Sequence, residues 1–125
     1  MTARPEVLAF GCREDDISTL VEAFDRIEPD LRVVNDAGEL TLQAVTHRPL
    51  AIVLGLGEAS LGHLDMIPVI HAVRSELPVV VIAENASLKL ERAARRERIF
   101  YYLVHPIEST EVEVVLQDLL RCAKN

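Results

Sequence analysis

Ile99-Phe100-Tyr101-Tyr102-Leu103-Val104-His105-Pro106 is a strand-length apolar run closed by a histidine–proline pair. Four more runs of similar length precede it: Val7 to Phe10, Leu31 to Val34, Leu50 to Leu54 and Val79 to Ala83. Those at Leu50 to Leu54 and Val79 to Ala83 are apolar at every position instead of alternating. Central parallel strands covered by helices on both faces have that pattern.

The segments between the runs carry helical spacing. Ile17, Leu20, Val21, Phe24 and Ile27 form one stripe, with Asp15 or Asp16 placed to cap its start. Asp36 with Glu39 opens a second helix, carrying Leu40 and Ala44, that runs to about His47 before Arg48-Pro49 ends it. Gly62 and Pro68 push the regular part of a third to Asp65 through Glu76. Asn85 or Ser87 starts a fourth, Leu88 to Glu97, rich in arginine, with a weak apolar stripe at Leu88, Leu90 and Ala94. In the last, Thr110 and Glu113 form a capping box and Val112, Val115, Leu116 and Leu119 face inward.

Five βα units without a linker or internal repeat predict one α/β domain over 1–125. Right-handed crossovers make it a three-layer, doubly wound, five-stranded parallel sheet of order 2-1-3-4-5, the flavodoxin-like arrangement. Ligands of such sheets bind at the carboxyl ends of the strands. Here that rim is expected to be Gly11, Cys12 and Arg13 after strand 1, Gly55 after strand 3, Ala83 and Glu84 after strand 4, and His105 after strand 5.

The 125 residues, half of them hydrophobic, suffice to bury about two-thirds of the surface the unfolded chain exposes. The net charge of -7 argues against direct binding of nucleic acid or an anionic membrane. Cys12 and Cys122 lie at opposite ends of the chain with no metal-like or redox spacing, so two free thiols in a reducing cytosol are expected. Met1-Thr2-Ala3-Arg4-Pro5 opens no apolar leader, and no run reaches the roughly 18–20 apolar residues of a membrane span. The expected location is the cytoplasm.

Three stretches carry a resemblance that covers nearly the whole chain: Arg48-Pro49-Leu50-Ala51-Ile52-Val53-Leu54, Leu77-Pro78-Val79-Val80-Val81-Ile82, and Tyr102-Leu103-Val104-His105-Pro106. The chain resembles the receiver domain of bacterial response regulators, the CheY-like family, whose last strand leads into a Tyr-Leu-x-Lys-Pro segment. The resemblance implies a metal-assisted phosphoryl transfer. In it, an acidic pair after strand 1 and an aspartate after strand 3 hold magnesium, that aspartate attacks phosphorus, and a Thr or Ser and a Lys grip the phosphoryl oxygens. The matching positions here read Gly11-Cys12, Gly55, Ala83 and His105. Glycine offers neither nucleophile nor metal ligand, alanine no hydroxyl, and neutral imidazole no fixed charge. The implied protein is a degenerate receiver, a pseudo-receiver without acceptor aspartate, metal or cofactor.

Other readings compete at single residues. Glu14-Asp15-Asp16 suits the start of a helix better than a displaced metal site. Cys12 invites a thiol nucleophile, yet Arg13-Glu14-Asp15-Asp16 is no phosphate loop. His105 suits a hydrogen-bonded structural imidazole, and His47, His63 and His71 lack metal-like spacing with it. Tyr102 matches the family's rotamer-switching aromatic, equally an ordinary edge residue, and Tyr101 points to the opposite face by period two. Arg92, Arg95, Arg96 and Arg98 beside Glu91 and Glu97 on the fourth helix, with Glu111, Glu113 and Asp118 on the fifth, form either a solvated charged surface or a homodimer face.

The expected function is therefore a phosphorylation-independent, non-enzymatic signal-transduction module. It would contact protein partners, a second copy included, through the fourth helix, fifth strand and fifth helix. The alternative is a small-molecule or anion sensor in which Gly11, Gly55 and Ala83 leave room and Arg13 with His105 hold the anion.

Overall fold

A computed structural model describes residues 4–57, 59 and 61–123. The first three and last two residues of the expected domain lie outside these. The elements are β1 (Glu6–Phe10), α1 (Glu14–Phe24), β2 (Asp30–Val34), α2 (Ala37–Thr46), β3 (Ala51–Leu56), a 3-10 turn (Leu61–Asp65), α3 (Met66–Val73), β4 (Val79–Ala83), α4 (Leu88–Arg95), β5 (Tyr101–Val104) and α5 (Ser109–Ala123). All strand pairs are parallel, and the order is β2-β1-β3-β4-β5, as expected.

Alternate residues of the central strands go to opposite faces, so both must be apolar. Val7, Ala9, Val53, Val80 and Ile82 pack under α1 and α5, against Leu20, Phe24, Val112, Leu116 and Leu119. Leu8 and Ile52 meet α2 and α3 at Leu40, Ala44 and Ile70. Leu54, Val79 and Val81 meet α3 and α4 at Ile67, Leu90 and Ala94. Emptying one such site, as in Leu54→Ala, costs about 2–5 kcal/mol. Only Val34 of the edge strand β2 is buried. Among the described residues, no helix is long and apolar enough to cross a membrane.

Local signals place most helix starts. The Asp36 carboxylate accepts from the Glu39 amide at 2.7 Å, and the Ser87 hydroxyl from the Leu90 amide at 3.2 Å. Four expectations are corrected. Asp15 and Asp16 do not cap α1; they lie inside its first turn, where the helix dipole favours them, and Arg13 is the cap position. At α5 the reciprocal contact comes two residues earlier than the expected Thr110–Glu113 box, from the Glu108 amide to the Glu111 carboxylate at 3.0 Å, because the helix begins at Ser109. Leu88 is exposed rather than part of the inward stripe of α4. The third helix is shorter than the expected Asp65 to Glu76: a 3-10 turn takes Asp65 at its start, and extended backbone at Arg74 ends it at Val73.

Candidate functional site

β3 runs to Leu56, so Gly55 lies within the strand, beside Ile82 of β4, rather than after it. Its missing side chain matters sterically. A Cβ at Gly55 would lie 2.8 Å from the Cα of Cys12 and closer still to the carbonyl of Gly11. The loop from β1 to α1 therefore crosses the position a side chain would fill. Gly11 makes that path possible with φ of 76°, a left-handed conformation that glycine adopts freely. Its own Cβ would meet the His63 ring at 2.8 Å.

His63, which the sequence did not single out, completes the seal. Its Nδ1 donates to the Gly55 carbonyl at 3.0 Å and its ring packs on Phe10, with centroids 4.9 Å apart. The cavity left between Gly11, Cys12, Arg13, Asp16, Gly55 and Glu84 holds about 40 Å³, against roughly 300 Å³ or more for a metabolite pocket. Ala83, expected on the rim, is the fully buried last residue of β4. The room expected from three small residues is taken up by backbone.

His105 follows β5, its amide bonded to the Ala83 carbonyl at 2.7 Å. Its Nδ1 donates to the buried Asp16 carboxylate at 2.7 Å, and its Nε2 lies 3.6 Å from Asp15. Asp16, buried inside α1, thus satisfies its charge on an imidazole 89 residues away in sequence. Ligand atoms of Asp15, Asp16 and His105 all lie within 4.8 Å of one another, a group able in principle to offer metal ligands. The Asp16–His105 hydrogen bond, with Asp15 alongside at ion-pair distance, ties α1 to the loop after β5. Against some desolvation, His105 and Arg13 hold the Asp15 carboxyl below the usual carboxylate range. Arg13 itself lies 3.4 Å from Asp15. The pair expected to receive an anion is therefore already faced by carboxylates. Burial, with Asp16 adding to it, pushes the Cys12 thiol up to about 12, so it is protonated near neutral pH and no ready nucleophile.

Beyond the rim, α4, β5 and α5 form the expected charged face in part. Arg95 pairs with Glu91 at 2.9 Å and stands 5.5 Å over the Tyr102 ring. Arg92 and Arg96 line an open cleft with Leu88, Glu91 and Arg95. Tyr101 points to the other side of the sheet, as its period requires, donating to Asp118 at 3.1 Å; Asp118 also pairs with Arg121. Two residues leave the face: Glu113 pairs with Arg26 beyond α1 at 3.6 Å, and Arg98 donates to the Ser75 carbonyl before β4 at 3.4 Å. Glu111 is engaged at its own helix start.

No family model and no curated protein matches the sequence. Solved structures do match in shape. A receiver domain of an HD domain-containing protein from Pseudomonas fluorescens Pf-5 superposes with a TM-score of 0.80 at 19% identity, covering 95% of this chain and 96% of that one. A CheY-like protein, tadZ, from Pseudomonas aeruginosa PAO1 gives 0.77 at 16%, covering 92% and 98%. A CheY-like receiver domain protein from Methanospirillum hungatei JF-1 gives 0.79 at 11%, covering 98% of each. The chain has the receiver fold. At these identities the likeness is one of architecture.

Proposed function

We propose that this receiver-fold domain is a cytoplasmic signal-transduction module that works without phosphoryl transfer, binds no metal or cofactor, catalyses nothing, and acts by contact with another protein. The observation that carries the reading is Gly55: no carboxylate stands there, and the Gly11–Cys12 backbone fills its place. The partner face is α4, β5 and α5, where Arg95 stands over Tyr102 and lines a cleft with Arg92 and Arg96. Because Glu113 and Glu111 are engaged elsewhere, that face offers the α4 arginines few acids of its own kind. This favours an acidic partner protein over a second copy there. The anion-sensor alternative is not supported, since the rim is closed and acidic.

The test is incubation with a small phosphodonor and magnesium, followed by intact mass. Neither the wild type nor Gly55→Asp is expected to gain an acid-labile phosphoryl group. Stoichiometric label on the wild type, at Asp15, Asp16 or elsewhere, overturns the proposal.

A further inference from the structure

The outer face of α2 and α3 carries an apolar strip that none of the described residues covers. α3 contains no charged residue; Ile67 and Ile70 are buried beneath it, while Pro68, Val69, Ala72 and Val73 lie exposed above, Val69 at 52%. α2 adds Leu42, 60% exposed, and Val45. Val45, Ala72 and Val73 line one cleft, of about 390 Å³, shared with the polar side chains of Arg48, Arg74 and Glu76. The one polar side chain of α3, His71, is turned to the Leu77 carbonyl at 3.0 Å, and exposed apolar surface on the rest of such a helix marks a contact site.

Charge along this face has a direction. α2 begins at Asp36 and Glu39 and is followed by Arg48; α3 follows Asp65 and ends at Arg74. Both helices lead back from the carboxyl ends of parallel strands, so the two acidic ends lie together and the two basic ends lie together. Arg48 also acts on its own Glu76, which its backbone hydrogen bond, Arg74, Ser75 and Arg48 together hold below the usual carboxylate range. A two-fold axis across such a face lays acid over base twice, with apolar strip on apolar strip.

We propose that a second copy of this chain docks here, forming an antiparallel two-fold dimer through α2 and α3. An axis passing between α2 and α3 lays each α2 antiparallel over the second copy's α3, so that Leu42 and Val45 face its Val69 and Val73 and Glu39 comes to the basic end that holds its Arg48 and Arg74. The proposal is independent of the phosphoryl question, and it leaves the α4–β5–α5 faces of both copies open to partners.

Sedimentation equilibrium on the full chain tests it. The wild type is expected to dimerise with concentration. Leu42→Glu or Val69→Glu should raise the dissociation constant by about tenfold or more, with unchanged circular dichroism and melting temperature showing that the fold is intact. Arg48→Glu should weaken the dimer, and Arg48→Glu combined with Glu39→Arg should restore it. A wild type that stays monomeric at millimolar concentration overturns the proposal. So does a dimer that survives Val69→Glu and dissociates with Arg95→Glu, or a folded charge-swapped double variant that gains nothing over the single.

Discussion

The strand carboxyl ends and the outer face of α2 and α3 are opposite solutions in one small molecule. At the first, where proteins of this architecture commonly hold ligands, loop backbone, His63 and the Asp16–His105 pair close the surface. At the second, Leu42, Val45, Val69 and Val73 stay exposed. Sealing a site takes atoms in fixed positions, so change there should be costly. An open face tolerates change and reveals it only in association.

The sharpest way to break that contrast is Gly55→Asp. Overpacking against the Gly11–Cys12 backbone, and a second carboxylate near Asp16, should destabilise the fold by about 3 kcal/mol, read from urea unfolding; a neutral result would mean the rim is soft. Asp16→Ala, which leaves the His105 ring without its acceptor, is expected to cost about 2 kcal/mol, the pair being only partly shielded from water. Cys12 gives a pH signature. Its thiol stays protonated in the fold to about 12 but ionises near 9 when unfolded, so its contribution is intact below pH 9 and is lost as pH rises towards 12. Between pH 9 and 10 the wild type should lose about 1 kcal/mol more than Cys12→Ala. Gly57→Ala is a milder probe of the same rim. Its Cβ would meet the end of the flexible Glu84 side chain at 2.8 Å and nearer, for a loss of about 1 kcal/mol or less. Smallest of all, Leu42→Glu on the open face should change stability by no more than about 0.5 kcal/mol.

The contrast also marks what could be read in the residues. Runs apolar at every position identified β3 and β4 because both faces of those strands are covered, and β4 begins and ends at Val79 and Ala83 as expected. Asp36 and Ser87 announced their helices because capping is local chemistry. The glycine at 55 said only that a carboxylate was missing. That backbone from 11 and 12 would fill the space depends on a loop path no local pattern encodes. The His63 contact and the Asp16–His105 bond, joining residues 8 and 89 apart from their partners, are equally products of closure. α3 was legible as a helix, but its exposed apolar side became visible only once the sheet was placed beneath it.

Tyr102 carries a consequence of its own. Its hydroxyl is buried without a hydrogen-bond partner among the described residues. Desolvation and Glu91 raise its pKa, with Arg95 opposing. An unsatisfied phenol of this kind costs about 1–3 kcal/mol. A partner that presents a carbonyl or carboxylate to this hydroxyl along the β5 edge would recover that energy on docking.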